Sequence, residues 1–284
     1  MKKNLLIVVI LAVCSIEMVK GQTVADSLAI VSACWKIENF QKGIVYKYAS
    51  IPQLYQGPQS ISLIEIDPVA GLKVGVAVSD KMKETSKIAS ECNAIAAING
   101  SYFDMKRGNS VCFLKADRQV IDTTMQSEFK LRVTGAINVR KGKIKLIPWS
   151  KQIEKEYEGE TGMVLASGPL MLKDGQICDW NSCGANFIRT KHPRSAVATT
   201  KEGKILLITV DGRFPEQAEG VNIPELAHLI RILGGEDALN LDGGGSTTLW
   251  LSGASDDGVV NYPCDNGRFD HAGERKVPNI LYIH

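Results

Sequence analysis

The sequence lacks the marks of several large protein classes. After the first residues, no stretch approaches the ~20 consecutive apolar residues that a membrane-spanning helix needs. It contains no CxxC or HExxH pattern, and its four histidines are widely scattered. Zinc sites depend on closely spaced Cys and His ligands, so neither a metal nor another cofactor is expected. Internal repeats and low-complexity tracts are also missing, which favours one domain.

Neither sign of charge is in excess. Residues 1–21 contain three lysines and one glutamate, and the other 263 residues contain 30 basic and 30 acidic side chains. A nucleic-acid-binding protein would carry a basic surplus or a basic patch. No nucleic-acid partner is therefore expected.

The N-terminus has the pattern of an export signal. Lys2 and Lys3 precede the apolar run 5–13, which is too short to span a bilayer. Cleavage after the small residue Gly21 predicts a signal peptide at 1–21 and a periplasmic or secreted protein. The alternative is a lipoprotein signal with lipid attached to Cys14, which the bulky Val13 before it disfavours.

Cysteine usage agrees with export, since an even number in an oxidising compartment permits disulfides. Cys178–Cys183 would close a short loop and Cys92–Cys112 would bracket a strand and a loop, so these are the two predicted pairs. Buried free thiols are the alternative. The six cysteines after the predicted signal are Cys34, Cys92, Cys112, Cys178, Cys183 and Cys264.

Hydrophobic patterning predicts an α+β fold: a single domain at 41–284 with a mixed β-sheet core and flanking helices. It is preceded by an N-terminal extension at 22–40, in which 27–35 has the character of a short helix. Residues 61–67 alternate between apolar and polar, as a half-buried strand does. Further short apolar strands are expected at 74–78, 94–98, 135–139 and 143–147.

One strand–helix–strand unit is well marked. Residues 204–210 are almost continuously apolar, which is typical of a strand covered on both faces. A helix at 223–233 follows, capped by Asn222 with Glu225 three residues later and ended by Gly234. A second strand at 238–242 comes next, so a crossover within one sheet is expected.

Polar clusters follow three of the predicted strands, at 98–104, 209–213 and 240–248. In the third, Asn240 and Asp242 are two residues apart and share one face of the strand. An amide and a carboxylate placed side by side are unsuited to a core. The candidate binding and catalytic residues in these clusters are Asn99, Ser101, Asp211, Asn240 and Asp242.

The run Gly243-Gly244-Gly245-Ser246 has two interpretations. Consecutive N–H groups without a Cβ in the way can form an anion-binding nest, with the Ser246 hydroxyl as a further donor. The same residues are also ordinary in a hairpin turn. The run fits neither GxxxxGK[ST] nor GxGxxG before a helix, which disfavours nucleotide binding by those modes.

Two other residues are candidates with simple alternatives. Arg194 precedes an apparent strand, and an arginine can hold a phosphate through two parallel N–H contacts; its alternative is a surface arginine. Glu225 is a candidate acid, and its alternative is the capping role already given.

Taken together and in this order, the motifs resemble the phosphodiester glycosidase family over residues 40–284. One departure is Ser101, where the family usually has a second glycine. The matching runs are 97–104, 167–170 with 174–175, 192–196, 210–213, 220–246 and 275–279.

The resemblance implies hydrolysis of the glycosidic bond of a small-molecule or glycan sugar-1-phosphodiester, for example one of N-acetylglucosamine, to release sugar and a phosphomonoester. Asp242 would act on the anomeric carbon, with Asp211 or Glu225 as partner. No metal is required, although two aspartates near a phosphate can hold one. Alternatives are a non-catalytic glycan-binding protein of the cell envelope and a phosphodiesterase that breaks the P–O bond. The implied substrate-binding residues are Asn99, Ser101, Arg194, Asn240, Gly243, Gly244, Gly245 and Ser246.

Overall fold

The computed structural model describes residues 23–116, 119–157 and 162–284. The predicted signal peptide at 1–21 and the alternative lipid-attachment site Cys14 lie outside the described residues. Within the described ranges, no helix is both long and apolar enough to cross a membrane.

The described residues form seventeen strands and six α-helices. The strands are β1 (Lys36–Gln41), β2 (Ile44–Leu54), β3 (Gly57–Ile66), β4 (Val74–Lys83), β5 (Ala96–Asn99), β6 (Leu114–Ala116), β7 (Gln119–Asp122), β8 (Gly135–Arg140), β9 (Lys143–Pro148), β10 (Met163–Ser167), β11 (Leu170–Lys173), β12 (Gln176–Ile177), β13 (Arg194–Thr200), β14 (Ile205–Val210), β15 (Gly235–Asn240), β16 (Leu249–Leu251) and β17 (Val277–Ile283). The helices are α1 (Val24–Val31), α2 (Thr85–Glu91), α3 (Gln126–Leu131), α4 (Lys151–Lys155), α5 (Ala185–Arg189) and α6 (Ile223–Ile232). The strands expected at 61–67, 74–78, 94–98, 135–139 and 143–147 correspond to β3, β4, β5, β8 and β9.

The strands form three sheets. The largest has eight strands in the order β1-β2-β3-β14-β13-β15-β11-β12, the second has the order β7-β6-β10-β8-β9, and the third has the order β16-β5-β17-β4. The predicted α+β fold is confirmed.

The large sheet differs from the expected mixed sheet in one respect, because the strand pairs in the described residues are antiparallel. The predicted crossover β14–α6–β15 is present and its two strands run parallel, but β13 lies between them. Ala196 of β13 pairs with Ile208 of β14 on one side and with Asn240 of β15 on the other. The crossover leaves room for one strand, and β13 fills it in the opposite direction.

The continuous apolar character of β14 follows from its position between two layers. Leu207 packs into a hydrophobic cluster that joins the large sheet to the two smaller sheets. Leu206 and Ile208 point to the opposite face, where they join a second cluster with α6. Side chains alternate between the faces of a strand, so a strand buried on both faces has no polar position to keep.

Helix α6 begins as predicted. The Asn222 side chain accepts a hydrogen bond from the Glu225 N–H at 2.9 Å, and the Glu225 carboxylate accepts one from the Asn222 N–H at 3.0 Å. Gly234 follows the helix with φ of +90°, a conformation that glycine adopts without the strain that a Cβ causes.

The predicted N-terminal extension lies against the domain. Its helix is α1, which begins earlier than expected because Thr23 and Asp26 form a capping box. Ile30 is buried in the cluster that contains α6. The end of the extension belongs to β1, which is the edge strand of the large sheet.

The six cysteines of the described residues carry free thiols, so neither predicted disulfide is formed. The members of each predicted pair pack in different places. Cys178 packs against the cluster between the sheets and Cys183 against the cluster on the α6 face. Cys112 is fully buried, whereas Cys92 is half-buried beside a separate cluster around α2.

Candidate active site

The first and third polar strand ends meet at one place. The Asn99 Nδ2 donates a hydrogen bond to the Asp242 carbonyl at 2.7 Å, and the Asp242 N–H donates to the Gly100 carbonyl at 3.0 Å. The Asn99 Oδ1 accepts from the Ser195 hydroxyl at 2.6 Å and from the Thr248 N–H at 3.1 Å. Asn99 is fully buried, and these contacts tie together the ends of β5 and β15 and the start of β13.

Asn240 and Ser101 are buried beneath the same place. The Asn240 Nδ2 donates to the Tyr102 hydroxyl at 2.7 Å and to the Gly168 carbonyl at 2.9 Å. The Ser101 hydroxyl donates to the Ala166 carbonyl at 2.6 Å. Both side chains are thus engaged within the protein and support the layer above them.

Asp242 is the predicted carboxylate that reaches the surface. Its side chain is partly buried, and its Oδ1 accepts a hydrogen bond from the Gly243 N–H at 3.0 Å. Burial raises the pKa of Asp242, while the Ser246 hydroxyl and the Arg132 guanidinium oppose the shift. A carboxylate in such a place can serve as a nucleophile or exchange a proton.

The backbone amides of the glycine run do not form the predicted open nest. The Gly243 N–H faces its own neighbour Asp242, the Gly244 N–H donates to the Pro193 carbonyl at 2.8 Å, and the Ser246 N–H donates to the Gly243 carbonyl at 3.2 Å. Three of the four amides in the run are therefore already engaged.

The glycines instead make room for charged side chains. A Cβ on Gly244 would lie 2.9 Å from an Arg213 guanidinium nitrogen, and a Cβ on Gly245 would collide with Arg275 and Asp265. Gly244 also has φ of +61°, in the region that favours glycine. Two arginines consequently pack directly against the loop.

A further arginine, Arg132, lies close enough to Asp242 to act on its carboxyl group. The Arg132 guanidinium stacks on the Tyr102 ring at 3.6 Å from the ring centre, and its Nε donates to Glu128 at 2.7 Å. Arg132 and Arg275 both act on the Asp242 carboxyl group electrostatically. Arg275 is itself paired with Asp265, whose Oδ1 accepts from its Nε at 3.1 Å.

Arg194 is not the surface residue of the alternative interpretation, since it is 2% exposed. Its guanidinium donates to the carbonyls of Val221 at 3.1 Å, Thr190 at 2.9 Å and Phe187 at 3.1 Å. Burial lowers its pKa to about 10, and the negative charge of Asp242 works against that shift. It adds positive charge below the site from a fixed position.

The hydrogen-bond partners of the Asp211 carboxylate differ from those of the Asp242 carboxylate. Its buried carboxylate accepts from the Ser60 hydroxyl at 2.7 Å, the Asn261 Nδ2 at 2.9 Å and the Tyr262 N–H at 3.0 Å. Burial raises its pKa to about 6. Glu225 remains at its helix cap, where burial raises its pKa to about 7.

The buried hydroxyls of Thr247 and Thr248 lack a hydrogen-bond partner among the described residues. Such groups are rare in folded proteins and favour a place that water or a ligand completes. In the described part of the chain, no group of three or more His, Cys, Asp or Glu side chains is arranged to hold a metal ion.

Sequence reasoning did not single out the arginines around the loop or Asp265. Arg213 and Arg275 stand inside motifs that were noted, 209–213 and 275–279, but nothing local distinguishes them from surface arginines. Arg132 has no signal at all, since only the packing of α3 brings it to Tyr102.

Comparisons with known proteins give curated relatives of similar sequence. The N-acetylglucosamine-1-phosphodiester alpha-N-acetylglucosaminidases of Mus musculus and Homo sapiens are each 24% identical to this chain, over 205 and 222 residues. The matches cover 66% and 72% of this chain but 37% and 39% of the mammalian proteins. The chain thus spans well under half the length of these relatives.

Solved structures share the fold. The zebrafish N-acetylglucosamine-1-phosphodiester alpha-N-acetylglucosaminidase catalytic domain, auto-inhibited by its pro-peptide, matches with a TM-score of 0.65 at 20% identity, covering 87% of this chain and 85% of that one. A hypothetical protein from Synechocystis matches with a TM-score of 0.62 at 16% identity, covering 88% and 63%. The family model described as phosphodiester glycosidase matches residues 92–284. Because that match covers more than half of the chain, this protein belongs to the phosphodiester glycosidase family.

Proposed function

We propose that this protein is a glycosidase that hydrolyses a sugar-1-phosphodiester between the anomeric carbon and the bridging oxygen. The products are free sugar and a phosphomonoester. The observation that carries the proposal is a partly exposed carboxylate, Asp242, surrounded by positive charge. Arg132, Arg194 and Arg275 interact with it electrostatically, and Arg213 packs against the neighbouring Gly244. The family to which the chain belongs supports the same reaction.

The arginines suit the leaving group. When the glycosidic bond breaks, the phosphodiester becomes a phosphomonoester and gains negative charge. Fixed positive groups that are already in place stabilise such charge as it develops. Arg213 and Arg275 lie against the glycine loop on the side of the surface, so they are the groups that would contact the phosphate. In this proposal, arginine side chains take over most of the anion binding that the sequence predicted for the backbone amides of residues 243–246.

The carboxylate suits the sugar. Cleavage leaves positive charge on the anomeric carbon, which a nearby carboxylate stabilises as nucleophile or as base for water. Asp242 takes this role. The second acid next to the loop is Asp265, held by Arg275. Asp211 and Glu225 have structural partners, and we assign them structural roles.

We further propose that the protein is exported, with 1–21 as the signal peptide, and that N-acetylglucosamine is the first sugar to test. The relatives' names specify that sugar for those proteins. The alternative of lipid attachment at Cys14 predicts a membrane-anchored product, which the mass of the mature N-terminus distinguishes.

Hydrolysis in ¹⁸O-labelled water tests the reaction. Sugar-1-phosphate methyl diesters of several sugars are incubated with the protein and with its Asp242→Asn variant. Label in the released sugar supports the glycosidase, and label in the phosphate shows a phosphodiesterase instead. If the diesters bind without turnover, the protein is a glycan-binding member of the family and the proposal is wrong.

A further inference from the structure

A cavity outside the candidate active site lies at the β1 edge of the large sheet. It has a volume of about 430 Å³ and is bounded by β1, β2 and the connector between β16 and β17. Four of its thirteen lining residues are Phe or Tyr, although Phe, Trp and Tyr make up 6% of the chain. These four are Phe40, Tyr46, Tyr48 and Tyr262.

Aromatic rings form a row that extends from the cavity to Phe214. Tyr48 lies 6.1 Å from Tyr262, Tyr262 stacks on Phe269 at 4.1 Å, and Phe269 meets Phe214 at 5.3 Å, measured between ring centres. Phe214 directly follows Arg213, whose guanidinium packs against Gly244. The row thus ends at the residue next to an arginine that we propose contacts the phosphate.

The row is held rigid from beneath. Asp211 accepts a hydrogen bond from the Tyr262 N–H at 3.0 Å. The His271 ring packs against the Tyr262 ring, and the His271 Nδ1 lies 2.7 Å from the Asn261 carbonyl. The Tyr46 hydroxyl donates to the Val260 carbonyl at 2.7 Å. A preformed surface loses little entropy on binding.

These rings are not a closed core. Phe40, Tyr46, Tyr48, Tyr262 and Phe269 are all partly exposed. Charged and hydroxyl groups stand among them, from Lys36, Glu38 and Ser255.

Aromatic faces with a few polar groups at the rim match the chemistry of a sugar ring. The electron-rich face of an aromatic ring attracts the slightly positive C–H groups of a pyranose, and the rim groups can bond its hydroxyls. A larger cavity of about 690 Å³, at the opposite ends of β13–β15, lacks this character, because lysines and aliphatic side chains line it.

We propose that the aromatic cavity is a carbohydrate-binding subsite for sugar rings joined to the scissile phosphodiester. The link between the subsite and catalysis rests on the proposed function, whereas the binding of sugar rings in the cavity does not. Phe40, Tyr46 and Tyr48 lie outside the segment 92–284 that matches the family model. Three of the four aromatic residues of the cavity therefore come from outside the segment that matches the family model, and Tyr262 comes from within it.

The test is binding of phosphate-free tetrasaccharides of glucose, mannose, galactose, xylose and N-acetylglucosamine to the full chain, by calorimetry and by ligand-observed NMR. Tyr48→Ala removes a ring that faces the cavity, and Tyr48→Phe keeps it as the matched control. We expect at least one tetrasaccharide to bind, with affinity at least ~10-fold weaker in Tyr48→Ala and nearly unchanged in Tyr48→Phe. Thermal unfolding of both variants shows whether they fold.

Two results would overturn the proposal: no binding of any tetrasaccharide to the folded protein, or equal binding to wild type and a folded Tyr48→Ala. If Tyr48→Ala does not fold, Phe40→Ala on the edge strand replaces it with the same criterion. A kinetic readout then addresses the link to catalysis. Tyr48→Ala should raise KM for a diester that carries an oligosaccharide, and leave kcat and the methyl diester unchanged. Because the binding arm needs no turnover, its failure is distinct from failure of the glycosidase proposal.

Discussion

The loops after β14 and β15 both contain an Asp-Gly pair within their first three residues, and the two aspartates lie in opposite environments. Asp211-Gly212 and Asp242-Gly243 both follow buried strands that run parallel in one sheet. The Asp211 carboxylate is sealed and accepts three hydrogen bonds. Asp242 stays partly exposed with arginines around it. The segment between β16 and β17, which carries Asn261 and Tyr262, accounts for this difference. It covers Asp211 at the end of β14 and leaves Asp242 after β15 partly exposed.

The largest expected effect separates the two aspartates by activity. Asp242→Asn should lower turnover of a sugar-1-phosphodiester by ~10³-fold or more, because the amide has no negative charge to offer the anomeric carbon. Asp211→Asn should keep turnover within about tenfold, because the retained amide oxygen can still accept from Asn261 and Tyr262. The new amide nitrogen can donate to the Ser60 hydroxyl, which reverses its role from donor to acceptor. Steady-state kinetics on folded proteins measures both. Equal losses in the two variants would contradict the assignment.

The second effect concerns stability and should fall on Asp211. Asp211→Ala removes the acceptor of the Tyr262 N–H and one of the two acceptors of the Asn261 amide. We therefore expect a loss of about 3 kcal/mol in the free energy of unfolding. Urea denaturation measures it, and Asp211→Asn is the matched control. An Ala variant as stable as wild type would show that the carboxylate does not hold the connector.

A smaller effect tests whether arginines replace the amides at the phosphate. Arg213→Met should lower kcat/KM by ~10- to 100-fold with little change in stability, because the exposed guanidinium acts on the charge that develops on the leaving group. Arg268→Met, at an exposed arginine on the connector between β16 and β17, is the control and should retain activity. If both variants behave alike, Arg213 does not contact the phosphate.

The smallest effect is the pH dependence of stability. Asp211 has its pKa raised from 3.8 to about 6 by burial, so the folded protein holds this proton more tightly than the unfolded chain does. Its contribution to stability is present below the unfolded pKa and is lost as pH rises through about 6. We expect the free energy of unfolding to fall by about 2 kcal/mol between about pH 4 and about pH 7 from this group.

Urea denaturation between about pH 4 and about pH 7 measures this decrease in the free energy of unfolding. The Asp211→Asn variant should lack the part of the decrease that Asp211 contributes. Glu225, with a pKa raised to about 7, contributes a fall in the same direction and remains in the variant. An identical pH profile in wild type and variant would mean that the Asp211 carboxyl group titrates alike in the folded and unfolded states.

Much of the fold could be predicted because its signals are local. The cap of α6 lies in Asn222 and Glu225, and the burial of β14 on both faces lies in its unbroken apolar run. The antiparallel insertion of β13 could not be read in the same way. Strand order depends on which distant segment fills a gap in the sheet. A short apolar run does not show which strands it will pair with.

The candidate site, like the fold, was predictable only where its signals are local in the sequence. Asp242 and the three glycines stand out in the sequence because a carboxylate and successive glycines make a poor core. Their division of labour was not visible, since the glycines give room to Arg213 and Arg275 and most of their amides bond within the protein. The predicted disulfides were wrong for a related reason, because sequence spacing does not show that the two members of a pair pack in different clusters.

By itself, the sequence determined the α+β elements, the family resemblance and the polar strand ends, because each is encoded in residues close together along the chain. Only the tertiary structure decided which aspartate is sealed and which stays open. It also decided which arginines gather around the open one. Those outcomes depend on contacts among residues 132, 194, 213, 242 and 275, which only the packed sheets and their connector bring together.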